Sequence, residues 1–141
     1  GMNAAFEDCT CLSECIDNFS PDWKTVFKEY EKLRKINSDA IADLARENFV
    51  EMRDLVTDKR FQLKKKIEAE LFKLYPDKFM PKYSMVTFHR IPYSVALSRG
   101  KIQEEILHDL SEGISDVSEA DLVKAGKMIN ERLEKLMIKE D

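Results

Sequence analysis

Only four glycines occur in the 141 residues, and no two stand close enough to form a Gly-rich loop around a phosphate. Cysteine is equally sparse. Cys9, Cys11 and Cys15 are an odd count within seven positions, and a structural zinc site wants about four ligands, with only His89 and His108 remaining far downstream. They read as reduced thiols of a cytoplasmic protein, with Cys9 on the buried side of a helix and Cys11 more peripheral. No run approaches the roughly 18 apolar residues of a membrane span and no signal peptide is read, so no membrane partner is expected. Charge of one sign is missing too. Lys and Arg total 23 against 27 Asp and Glu, a net charge of −4 without the basic face on which nucleic-acid affinity rests. Between Asp58 and Lys73 basic residues do cluster, but Leu63, Ile67, Leu71 and Leu74 interleave with them, so they read as the solvated face of a core helix. No Ser/His/Asp or Cys/His arrangement and no paired carboxylates on a pocket-like face stand out. His89 beside Arg90 is an acid/base candidate whose simpler reading is a surface or packing residue.

Hydrophobic residues make up 43% of the chain, enough for one domain with a real core. Their spacing is helical almost throughout, which predicts an all-α fold of about six helices. Asn3 can cap a first helix whose inner face is Phe6, Cys9, Leu12, Ile16 and Phe19. Ser20-Pro21-Asp22 restarts a second, with Trp23, Val26, Phe27, Tyr30 and Leu33 inward. Asn37 or Ser38 caps a third. A fourth begins after Thr57-Asp58 and ends at Pro76. Pro92 starts a fifth, with Tyr93, Ala96, Ile102, Ile106 and Leu110 inward and Gly100 a weak spot midway. Ser111 to Val117 is a linker, and Ser118 to Asp121 resembles a capping box for a last helix carrying Leu122, Ala125, Ile129, Leu133 and Leu136. Residues 81–91 are the one β-leaning stretch. With no partner strand, they are expected as a short extended segment or a helical connector.

The third of these helices, Ser38 to Val56, organises the rest. Ile41, Ala45, Met52 and Leu55 recur at helical steps, and Asn48 falls on the same stripe. A buried carboxamide left unpaired costs roughly 1–3 kcal/mol, so something must meet it. It is either a core asparagine satisfied by backbone or water, or a polar anchor in an otherwise apolar ligand pocket. Tyr83 and Thr87 are four apart, as Asn48 and Met52 are, so each pair can present side chains to a common cavity if both segments are helical.

Three separated motifs then carry a resemblance. MNAAFEDC is similar to the segment that follows the flavin-binding Gly-Asp motif of class A flavoprotein monooxygenases, where it is written GQGMNAGFEDC. NFVEMRDLV and FMPKYSMVTFHRIPYSVALSRG resemble, more narrowly, the kynurenine 3-monooxygenase family, whose pieces run N-Y-x-E-M-R and F-x-P-x-Y-x-M-V-T-F-x-R-I-x-Y. The match spans about residues 2–110, and Asn48 and Tyr83 keep the family's spacing of 35 positions.

The resemblance implies roles. Asn48 and Tyr83 would hold the amino-acid end of L-kynurenine, while Met52 and Thr87 would line the aromatic part of its pocket. Met2 and Asn3 would lie against the pyrimidine edge of FAD, at the positive end of a helix. NADPH would be the reductant, and L-kynurenine would be hydroxylated by O2 to 3-hydroxykynurenine. The departures are as definite. The chain has no GxGxxG unit, no Gly-Asp motif, and not the arginine and tyrosine that complete the family's substrate site. Ser118 to Asp141 is charged where mitochondrial members carry a membrane anchor. Gly1 is either the family motif's last glycine or a tag remnant. The expectation is a single C-terminal, substrate-capping helical domain over residues 1–141, lacking the FAD/NADPH-binding domain and inactive alone. The alternative is a stand-alone helical interaction module that self-associates through exposed apolar faces.

Overall fold

The computed structural model describes residues 2–89 and 91–136. Six α-helices follow one another: α1 (Met2–Phe19), α2 (Trp23–Val50), α3 (Lys59–Leu74), α4 (Lys82–Thr87), α5 (Tyr93–Ser111) and α6 (Leu122–Arg132). A π-helical turn, Glu51–Leu55, extends α2, and a 3-10 turn, Val117–Glu119, precedes α6. No strand occurs among the described residues. The all-α expectation holds.

Asp22, Asp58 and Asp121 start α2, α3 and α6, each accepting a backbone N–H of the first turn on its carboxylate. The capping box falls earlier than expected, with Asp116 and Glu119 closing the 3-10 turn.

α5 is the axis of the molecule because its two halves enter two different cores. Its second half gives Ile106, Leu107 and Leu110 to a cluster with Leu63, Ile67 and Leu71 of α3 and with Ala125 and Ile129 of α6. Its start gives Tyr93 and Ala96 to a second cluster with Ala40 and Leu44 of α2 and Met85 of α4. The loop between α3 and α4 serves both, Phe79 entering the first and Met80 the second. Gln103 of α5 donates to the Met80 carbonyl at 2.9 Å, and Arg99 donates to the carbonyls of Lys78 and Glu134 at 2.7 and 2.8 Å. The chain after α6 is thereby tied back to that loop.

Several expected details are corrected. The second and third helices are one, since α2 runs unbroken through Asn37 and Ser38. Asn37 caps a different helix: its Oδ1 accepts the backbone N–H and hydroxyl of Ser94 at 3.1 and 3.0 Å, serving α5, whose own N-cap Pro92 offers no side chain. Of residues 81–91, expected as a short extended segment or a helical connector, Lys82–Thr87 form the helix α4, its Met85 fully buried. Along α1 it is Cys15 that is buried, while Cys9 and Phe6 are exposed. Trp23, Phe27, Leu33, Leu74 and Leu122, expected inward, are also exposed. Helical period alone does not say which apolar face finds a partner.

Candidate functional site

α2 passes from core to cavity along one face. Leu44 and Ala45 each lie three or four residues from both Ile41 and Asn48, so the four share one side of the helix. Leu44 is buried while Asn48 is exposed. The same stripe therefore closes the core at one end and walls an opening at the other. α4 does likewise with Tyr83, Val86 and Thr87, turning Met85 into the core. Between these walls, the start of α1 and the start of α5 lies a cavity of about 400 Å³. It is lined by the apolar residues Met2, Ala4, Ile41, Leu44, Ala45 and Val86 and by Asn3, Asn48, Tyr83, Thr87 and Tyr93. Its volume falls in the range of about 300–1,000 Å³ usual for a small-molecule site, and its lining mixes apolar and polar side chains.

Five of the six residues singled out from the sequence, Met2, Asn3, Asn48, Tyr83 and Thr87, meet in this cavity. Met52 does not. It is 67% exposed, because it falls in the π turn, whose wider hydrogen-bond spacing no longer continues the stagger of α2. Of the two settings left open for Asn48, the enclosed core is not the one found: its side chain is exposed at the cavity wall.

The phenol of Tyr83 is one of two strongly perturbed groups in the wall. Its oxygen is buried with no hydrogen-bond partner among the described residues. Burial pushes its pKa up to about 12, against the opposing charge of Lys82. Lys82 sits over the ring, Nζ to centroid 5.1 Å, and donates to Glu47 and Glu51 at 2.7 and 3.3 Å. Burial works against the Lys82 ammonium, but the bond to Glu47 and the charge of Glu51 outweigh it and hold the pKa above the ordinary lysine value. This trio was not visible in the sequence, although Glu47 and Glu51, four apart on one helix face, were the available signal.

Tyr93 is the other missed residue of the wall. Its hydroxyl donates to Glu7 at 2.8 Å, and burial first, then Glu7, raises its pKa to about 12. Glu7 and Asp8 in turn receive Arg34, a nearly buried arginine of α2, at 3.4 and 2.6 Å. These bonds hold the second turn of α1, and Arg34 also donates to the Ala4 carbonyl of the first at 3.5 Å, which seats Met2 and Asn3 against the cavity. His89 lines none of the cavities described here, and its neighbour Arg90 lies outside the described residues. No cluster of His, Cys, Asp and Glu that could hold a metal occurs among the described residues. None of their helices is long and apolar enough to cross a membrane.

A protein of Myxococcus xanthus is 42% identical over 137 residues, 97% of this chain. One of Flavobacterium johnsoniae is 48% identical over 110 residues, 78% of the chain, and one of Xanthomonas campestris pv. campestris is 43% identical over 136 residues, 96% of it. All three are named kynurenine 3-monooxygenase. The chain is similar to kynurenine 3-monooxygenases along nearly its whole length. It covers only 29%, 25% and 30% of those three proteins, so it corresponds to a portion of a kynurenine 3-monooxygenase. No protein-family model matches the chain.

Proposed function

We propose that this chain is the substrate-capping portion of a kynurenine 3-monooxygenase-like flavoenzyme and supplies one wall of its L-kynurenine pocket. The observation that supports this most directly is the single cavity shared by Asn48, Tyr83 and Thr87 with Met2 and Asn3. Asn48 and Tyr83 hold the amino-acid end of the substrate. The Asn48 carboxamide donates to a carboxylate, and the unpartnered Tyr83 hydroxyl has a proton to give and a lone pair to accept with. Thr87 with Ile41, Leu44 and Val86 receives the aromatic ring, and the three apolar side chains exclude water from it.

The start of α1 fits one edge of FAD. Its first turn holds no acidic residue, so the positive end of an 18-residue helix is left for an anionic group, and Met2 and Asn3 reach the cavity from there. FAD, reduced by NADPH, would supply the oxygen activation. What the chain contributes is position: the ring is held where it must react, which lowers the entropic part of the barrier.

The apolar side chains beside the pocket positions support a covering body. Phe49 and Phe88, next in sequence to Asn48 and Thr87, are 60% and 77% exposed. In a longer enzyme another domain covers them; in the isolated chain the same surfaces favour self-association. The test is an NMR titration of the isotope-labelled chain with L-kynurenine up to about 10 mM, since half a site supports a Kd on the order of 1 mM. Shifts concentrated at Asn48, Tyr83 and Thr87, and abolished by Asn48→Ala, support the reading. Shifts elsewhere, or none, overturn it.

A further inference from the structure

We infer that Lys82 is a positioning residue, which holds the Tyr83 ring in the cavity wall through a clamp completed by Glu47, Glu51 and Gly100. The inference rests on the role proposed above for Tyr83. α4 has six residues, too few to be stable alone, so the orientation of its side chains depends on tertiary contacts. The Tyr83 hydroxyl is buried but has no hydrogen-bond partner among the described residues. What the side chain has is the Lys82 ammonium, 5.1 Å from its ring centroid.

The ammonium is itself fixed from three elements. Glu47 of α2 and Glu51 of the π turn accept from it at 2.7 and 3.3 Å. Its stem lies against α5 at Gly100, where a Cβ would come within 2.7 Å of Lys82 Cδ and 3.1 Å of Cγ. The glycine in mid-helix is the notch through which the lysine passes. Its side chain is 18% exposed, so the cation is largely out of bulk water and its pairing is firmer than that of a surface lysine. Lys82, Glu47, Glu51 and Gly100 all border a second cavity of about 440 Å³, while Tyr83 borders the first. The clamp thus stands between the two, and a shift on its side is transmitted to the phenol.

The test uses the whole chain with 13C-labelled tyrosine, comparing Lys82→Met, Gly100→Ala and Lys82→Arg. Lys82→Met and Gly100→Ala are expected to move the Tyr83 ring resonances and to raise the Kd for L-kynurenine about tenfold. Lys82→Arg keeps both near wild type. Alanine is the better helix former at position 100, so a loss there comes from the displaced lysine and not from a weakened α5. Unchanged Tyr83 resonances in Lys82→Met and Gly100→Ala overturn the inference, and so does an equal loss of affinity in Lys82→Arg. An unmodified chain that fails to bind L-kynurenine defeats the proposed function instead; the ring resonances then still decide the clamp.

Discussion

Arg34, in the middle of α2, closes on Asp8 of α1 at 2.6 Å across 26 residues of chain. Its side chain is 11% exposed while those of Glu7 and Asp8 are 48% and 38% exposed, so the buried cation is met by carboxylates that keep part of their hydration. Removing it strands two half-solvated acids and frees the turn that carries Met2 and Asn3. Arg34→Met is expected to cost about 2 kcal/mol, the scale of hydrogen bonds to charged groups. Urea unfolding measures it, and a loss under about 0.5 kcal/mol would show the pairs to be no more than surface ones.

Two phenols set an alkaline limit. Tyr83 and Tyr93 are both raised from 10.0 to about 12 in the folded chain, mainly by burial. The unfolded chain releases these protons near its ordinary value while the folded chain keeps them. The unfolded state then binds fewer protons, and stability falls as pH rises through that window. Below it the two phenols contribute no slope. Tyr93→Phe removes one of the two groups, so its unfolding free energy is expected to decline less steeply between pH 10 and 12 than that of the unchanged chain. Chemical denaturation across that range checks the slope, and parallel curves would refute the assignment.

Helical periodicity located α3, α5 and α6 because each has one wide apolar stripe that meets a neighbour, as Leu63, Ile67 and Leu71 do. It divided α2 wrongly, because asparagine at position 37 has the chemistry of a local cap. Ser94, 57 residues away, takes that carboxamide instead, and no local pattern reports such a partner. Of the six positions named from the family motifs, Met2, Asn3, Asn48, Tyr83 and Thr87 were brought to one cavity. Met52 was not, because the π turn changes the period on which the count of four depends. Lys82 was hidden for a third reason: a lysine between a proline and a tyrosine has no pattern, and only the fold brings Glu47 and Glu51 to it.

Gly126 marks a close approach of α6 to the end of α3. A Cβ there would fall 2.4 Å from the Tyr75 hydroxyl oxygen and 3.3 Å from the carbon bearing it. The collision is worth about 1–3 kcal/mol, against about 1 kcal/mol regained from helix propensity. Gly126→Ala is therefore expected to lower stability by about 1 kcal/mol. Adding Tyr75→Phe, which removes the colliding oxygen, should recover most of it. A double variant no better than the single one would place the cost elsewhere.

Under the proposed function, the start of α1 would offer FAD one helix end and two side chains, Met2 and Asn3, on an open cavity. A ligand of that size needs most of its surface enclosed for tight binding. The isolated chain is expected to emerge from gel filtration colourless after incubation with FAD, and to form no 3-hydroxykynurenine with NADPH and O2. Stoichiometric flavin retention would overturn this and would require a further contact surface within these 141 residues.

The three cysteines should separate by access, and Cys11 also by its raised pKa. Cys9 is exposed, Cys11 half-buried and Cys15 buried. Burial first, then the neighbouring Cys15, raises the Cys11 thiol above its ordinary 9.0. The thiolate is the nucleophile, so a raised pKa slows alkylation at neutral pH beyond what access alone imposes. With iodoacetamide at pH 7.5, peptide mapping over time should find Cys9 modified first and Cys11 later, with a rate that climbs as pH approaches 9.0 and passes it. Cys15 should react only once denaturant opens α1 from α2. Modification of Cys15 at the rate of Cys9 in the folded chain would mean that α1 detaches in solution, and that the Arg34 bonds to Glu7 and Asp8 do not hold it.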